Sequence, residues 1–297
     1  MQQIKEVKYC NAACKKKHRS KHKKACERRV AELHEVTLFK QPPKAEDCDI
    51  CMVTLPFLAT GRRYMVCCGK VVCGGCMYAN DMSGGKSKHL CPFCRTPLST
   101  SNEETMKRLK KRIDAKDAEA MCMMGSMHYN GQGGQQNLKK ALEYWHQSAE
   151  LGFAGANCHI GNYYGYSSVG ISSHVMRDKN KAKQYYELGA IMGDPQARHN
   201  LGCMENNEGN IDRANRHWLI AVGSGYPNAM KAIQTYYSRG AVTKAFFEHA
   251  LHVRQAYVSE IRSVQRDEAA TASSRYEYLN DTPESRMQRQ LAVLGYS

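Results

Sequence analysis

"KALEYWHQSAELG", residues 140–152, returns as KAKQYYELGAIMG at 181–193 and as RANRHWLIAVGSG at 213–225. Ahead of each stands a second recurring pattern. Aligning Ala120, Ala156, Ala197 and Ala229 gives spacings of 36, 41 and 32 residues, and five residues after each alanine come Gly125, Gly161, Gly202 and Gln234. A period of 30–40 residues with helical spacing predicts stacked helix pairs, because one pair cannot bury its apolar face alone and neighbours share a continuous core. Small residues stand where two helices must approach, and Trp145, Tyr186 and Trp218 fill the space between units.

This pattern resembles the Sel1-like repeat, a relative of the tetratricopeptide repeat, over about residues 115–257. The resemblance implies antiparallel helix pairs stacked into a curved solenoid that binds partners and rarely catalyses. Repeats 1 and 3 carry it best. Repeat 2 is stretched by YSSVGISSHVM (166–176), and repeat 4 has Gln234 in place of the glycine.

Working outward, composition divides the chain into a basic segment (1–30), a linker (31–46), a cysteine-rich centre (47–98), a linker helix (99–116), the solenoid (117–257) and a helical or disordered tail (258–297). Ser101 with Glu104 three residues later has the form of a capping box, which predicts that the linker helix starts there. The expected fold is mainly α, with a small metal-bound module followed by the helical solenoid.

The 14 cysteines decide how the centre is read: three fall in the first 26 residues, eight between 48 and 94, and Cys122, Cys158 and Cys203 stand singly. Disulfides are not expected, because MQQIKEVKYC has no apolar signal region and no stretch approaches a membrane span. A reducing location, cytoplasmic or nuclear, follows, with no membrane partner. The pairs Cys48/Cys51, Cys73/Cys76 and Cys91/Cys94 are each CxxC. That spacing lets two sulfurs reach one zinc ion at about 2.3 Å.

Three such pairs closing on CPFCRTP resemble a RING finger over residues 48–97. The resemblance implies two zinc ions, with Cys48, Cys51, Cys73 and Cys76 on the first and Cys68, Cys91 and Cys94 on the second. Lys70 stands where that family has its histidine ligand, and a protonated lysine cannot ligate. Cys67 or His89 could complete the second site, and Cys67 is favoured because a structural zinc wants four ligands. RING fingers usually act as ubiquitin ligases by holding a charged conjugating enzyme, with no catalytic side chain of their own. Ile50 matches the apolar contact of that surface, Pro92 the proline of the last pair, and Arg95 the cation that bridges conjugating enzyme and ubiquitin. The segment between Cys76 and Cys91 lacks the tryptophan many active members carry. The two resemblances together therefore imply a ligase recruiting a conjugating enzyme through the centre and protein substrate through the repeats, with a non-catalytic scaffold as the alternative.

In the basic segment, Cys10, Cys14, His18, His22 and Cys26 fall four residues apart. On a helix that run spans too far for one ion: Cys14 to Cys26 covers about 18 Å. It is similar to the second half of a MYND finger, in which Cys10 and Cys14 would serve one zinc and His22 with Cys26 another. The upstream partner pairs are absent, so the expectation is a truncated form, and a solvated basic helix is the competing reading.

The formal charge of +15 is concentrated at this end, where residues 1–30 hold 11 Lys and Arg against 2 Glu. Two four-thiolate zinc sites would lower the total to about +11. Salt-sensitive nucleic-acid binding is a third reading, and the weakest, because no aromatic residues interleave with the cations for base stacking. The histidines of the helical region have no ligand spacing and read as packing or surface groups. Cys122, Cys158 and Cys203 read as small buried apolar groups. No phosphate loop, Ser-His-Asp pattern or paired catalytic carboxylate stands out.

Overall fold

The computed structural model describes residues 23–84, 89–165 and 178–279. Helix α1 (Lys23–Leu38) leads through an extended stretch into the cysteine-rich module, which holds strands β1 (Arg62–Tyr64) and β2 (Val71–Cys73) and helix α2 (Gly74–Met82). The strands pair antiparallel, with Arg63 opposite Val72. Helix α3 (Asn102–Asp114) follows, and its start is set as the sequence predicts: the Ser101 hydroxyl accepts the Glu104 N–H at 3.1 Å.

Four helix pairs come next: α4 (Ala118–Asn130) with α5 (Leu138–Glu150), α6 (Ala154–Gly165) with α7 (Lys179–Ile191), α8 (Pro195–Asn207) with α9 (Ile211–Gly223), and α10 (Pro227–Ser238) with α11 (Lys244–Ile261). Each pair packs on the next, forming a solenoid of repeats. Asp117, Asn137, Asp178 and Asp194 cap the helices that follow them, each side chain accepting an N–H three residues on.

The repeated glycine works by contact. A β-carbon at Gly125 would lie 2.6 Å from Trp145, one at Gly161 2.5 Å from Tyr186, and one at Gly202 2.4 Å from Trp218. The first helix of each pair thus offers bare backbone to the aromatic ring of the second. In the fourth pair Gln234 breaks this couple, and Tyr237 stacks on Phe247 instead, with ring centroids 4.5 Å apart. The reference alanines Ala120, Ala156, Ala197 and Ala229 are fully buried, and Cys122 and Cys158 are buried among apolar neighbours.

Two segments depart from the boundaries drawn from sequence. The division at residue 30 falls inside α1, whose C-terminal end docks on the solenoid. Leu38 is buried among Tyr186, Ala190, Ala197 and Leu201, and the buried Arg198 donates to the carbonyls of Leu38 and Ala190. Glu35 pairs with Arg213 and Arg216, and Phe39 lies over His217 with ring centroids 4.4 Å apart. The residues set down as a tail also return. Helix α12 (Val264–Ala272) and Tyr276 pack on the cysteine module, with Ala269 and Tyr276 inside its core.

The module consequently touches both ends of the solenoid. Toward the first repeat, the Tyr64 hydroxyl donates to Asp117 at 2.6 Å and Arg62 pairs with Glu119 at 3.3 Å. Toward the last, the Phe57 N–H donates to the Tyr257 oxygen at 2.9 Å and the Thr54 hydroxyl to Glu260 at 3.0 Å.

Candidate metal centre

Two loops of the module have the same backbone course. In the first, the Cys48 N–H donates to Val53 O and the Met52 N–H to Cys48 O, both at 2.9 Å. In the second, Cys91 N–H donates to Thr96 O at 2.9 Å and Arg95 N–H to Cys91 O at 3.0 Å. Isolated antiparallel bridges close both, Asp47 with Thr54 and Leu90 with Pro97. Met52 (φ 56°) and Arg95 (φ 58°) take the left-handed conformation that lets each chain turn back beneath its cysteine pair. That conformation costs a residue with a β-carbon about 1–2 kcal/mol.

The other four cysteines come from the hairpin and the helix it feeds. Cys67 and Cys68 sit in the turn between β1 and β2, where Gly69 has φ 75° and a β-carbon would meet Arg112 at 2.3 Å. Cys73 ends β2 and Cys76 lies in the first turn of α2. Two tetrads result: Cys48, Cys51, Cys73 and Cys76 form one, Cys67, Cys68, Cys91 and Cys94 the other, with the sulfurs of each within 4.8 Å of one another. The structure brings Cys67, not His89, to the second group. Lys70 turns elsewhere, its ammonium 3.3 Å from Asp49. Along the chain the tetrads interleave.

The geometry fits metal ions. Four sulfurs about 2.3 Å from one ion stand about 3.8 Å apart. Cys48 and Cys76 are 3.9 Å apart, Cys51 and Cys73 3.8 Å, and Cys68 and Cys91 3.7 Å; Cys67 and Cys94 are closer, at 3.3 Å. These separations far exceed a disulfide bond. Proton affinities within each tetrad diverge. Hydrogen bonds from Cys73 and Cys76 hold Cys48 far below the usual thiol range, and the bond to Cys48 pushes Cys76 far above it. Burial, then hydrogen bonds to Cys94 and Cys91, push Cys67 up. Burial of Cys94 opposes ionisation, yet hydrogen bonds with Thr96 and Cys67 bring it down to about 6. Thiols crowded this closely cannot all ionise without a cation among them. Both tetrads could hold a metal ion.

The remaining sequence-derived positions lie as follows. Ile50 is 44% exposed, Pro92 is half-buried and Arg95 is exposed, all on the two loops. Cys26 is buried on α1, and no group of three or more ligating residues forms around it among the described residues. Cys10, Cys14 and His22 lie outside the described residues. No described helix is long and apolar enough to cross a membrane.

Sequence reasoning missed a second surface. A groove of about 470 Å³ runs along the first helices of the repeats, lined by Asn162, Asn200, His159, His199, Tyr163 and Tyr226 among others. No Asp, Glu, Lys or Arg lines it. Burial lowers both histidines, His199 to about 4, so they are neutral at pH 7. The alignment of Asn162 with Asn200, 3.0 Å apart across two repeats, depends on how the pairs stack, which no single repeat specifies.

Comparison with known proteins bears on the solenoid. The Sel1 repeat family model matches residues 118–153 and 154–194. The match therefore takes in the stretched second repeat and leaves out the third, which the sequence pattern had ranked with the first. The fold is similar to that of a Sel1 repeat protein from Oxalobacter formigenes, at 18% identity over 75% of this chain and 86% of that one, with TM-score 0.45. It is also similar to c5321, a protective antigen of uropathogenic Escherichia coli with an SLR fold, at 21% identity over 64% of this chain and 40% of that one, TM-score 0.42. A third is the immunity protein Pa5087 from Pseudomonas aeruginosa, at 17% identity over 75% and 81% of the two chains, TM-score 0.41. No curated protein matches this chain in sequence.

Proposed function

We propose that this chain is a RING-type ubiquitin ligase built on a protein-interaction scaffold. The Sel1 repeats supply the scaffold. The finer reading rests on one observation: two interleaved cysteine tetrads hold a pair of matching loops that leave Ile50 and Arg95 exposed, with Pro92 half-buried beside them. Closed four-thiolate sites suit zinc, which would clamp the loops and the hairpin and carry no reaction itself. Ile50 would supply the apolar contact to a conjugating enzyme, Pro92 would stiffen the second loop, and Arg95 would hold ubiquitin against the enzyme. Substrate protein would be selected by the solenoid. Thiol sites of this kind fit a reducing compartment, and the reading carries with it a cytoplasmic or nuclear location.

The test is ubiquitin transfer by the full chain with a panel of conjugating enzymes. Self-ubiquitination is expected with at least one, and Ile50→Ala should abolish it while zinc content stays at two. Arg95→Ala should slow discharge of ubiquitin far more than it weakens enzyme binding, since that cation acts on the reactive complex. Absence of transfer across the panel, with both zincs bound, favours the scaffold alone. That second reading has its own observation: the chain's only tryptophans, Trp145 and Trp218, lie in the solenoid, so none stands beside α2.

A further inference from the structure

The two tetrads differ in what surrounds them. In the first, Cys48, Cys73 and Cys76 are buried and Cys51 is half-buried; in the second, Cys91 alone is buried, Cys67 and Cys68 are half-buried and Cys94 is exposed. The far end of the chain lies against the first tetrad. Helix α12 lies against α2 so closely that a β-carbon at Gly75 would stand 3.0 Å from Arg266, and one at Gly74 3.2 Å from Tyr276 O. Both positions in α2 between Cys73 and Cys76 are glycine, and both face this segment.

Arg266 is 1% exposed. Its guanidinium donates to Thr54 O at 2.7 Å and Val53 O at 3.0 Å, the two residues that close the first loop, and to Ile261 O at 2.6 Å, the last residue of α11. The same group reaches Cys51 Sγ at 4.0 Å. Next to it, Gln265 Oε1 lies 3.7 Å from Cys76 Sγ, and turning the amide over would offer an N–H to a thiolate. Asp267 holds the segment in this attitude, accepting from the Tyr278 hydroxyl at 2.6 Å and from Arg262 at 2.8 Å. A buried cation is costly unless an anion faces it. Four thiolates around a divalent ion leave two negative charges, and Arg266 is the cation placed beside them.

We propose that α12 closes the first tetrad from outside, with Arg266 and Gln265 as positioning residues, so that metal held there and docking of α12 on the module stabilise each other. The second tetrad has no such dependence. The inference rests on the reading of the tetrads as metal sites. Coupling of this kind is reciprocal: metal tightens the contact, and the contact tightens metal.

The experiment uses the full zinc-loaded chain and follows metal release to a chromogenic chelator. Two phases are expected, the second tetrad emptying first. Arg266→Ala should accelerate the slow phase about 10-fold, the scale seen when outer hydrogen bonds to a metal ligand are removed, and leave the fast phase unchanged. Arg266→Lys, which keeps the charge and loses the fork, should fall between. Gln265→Ala removes the amide facing Cys76 and should fold normally, giving a smaller acceleration of the same phase. The reciprocal arm is hydrogen exchange at α12, whose amides should lose protection when the slow phase completes while those of α7 and α8 keep theirs. A chain that binds no metal overturns the metal reading itself. Two bound metals, with a slow phase unmoved by Gln265→Ala and by either Arg266 variant, or α12 equally protected after both metals leave, overturn the coupling alone.

Discussion

Lys70 stands at the point where the hairpin leaves the second tetrad, and its pairing with Asp49 spends the cation between two loops of the module rather than against its sulfurs. Cys67 stands with Cys68 in that turn instead. Elemental analysis should therefore find one metal in Cys67→Ser and two in His89→Ala. The cysteine pairs were readable in sequence because CxxC spacing is local. The choice between Cys67 and His89 was not, because it depends on where a turn points. Arg266 was illegible altogether, lying 215 residues from the Cys51 sulfur it reaches. His217 poses a different question at this scale. It is fully buried with neither ring nitrogen hydrogen-bonded among the described residues, and burial, then the nearby Arg198 and Arg213, pull it down to about 3. With the folded value below the unfolded one near 6.5, its contribution is intact above that pH and is lost as pH falls toward 3. Urea melts should show stability declining between about pH 6.5 and 4, and His217→Phe, which keeps the ring against Phe39, should flatten that decline by a few kcal/mol. A slope identical in the variant would show that His217 does not drive it.

At the scale of the helix pair, the couple of bare backbone and aromatic ring sets how closely two helices approach. Gly202→Ala would force a methyl group to within 2.4 Å of Trp218. Overpacking of this sort typically costs about 1–3 kcal/mol, so the denaturation midpoint should drop while the slope stays unchanged. The alanines, glycines and rings were legible because each repeats in register and each repeat faces the same packing problem. The fourth pair was harder to place because Gln234 removes the couple and Tyr237 with Phe247 solves the problem differently. Helix α1 carries no such periodicity. Its seat is fixed by Glu35, Leu38 and Phe39 meeting residues of repeats 2 and 3, and only the folded solenoid brings those partners together.

For the whole molecule, the module is too small to hold itself together by its own apolar core, and metal should supply much of its folding free energy. The solenoid draws its stability from neighbouring repeats. Removing metal with excess chelator should abolish the module's tertiary signal and leave most of the helical circular dichroism. Loss of both together would mean that the repeats cannot stand without the module.

A stack of repeats ordinarily frays, since its first and last units have a neighbour on one side only. Here Tyr64 and Arg62 hold the start of α4, Tyr257 and Glu260 hold the end of α11, and one small domain makes both contacts. Neither end is left to open by itself. Amide protection should consequently be level from α4 to α11 in the metal-loaded protein, and stripping the metal should restore the gradient of an open array, with exchange fastest at the outermost pairs and slowing toward α7 and α8. The eight cysteines of the two tetrads would then set the dynamics of helices that contain none of them.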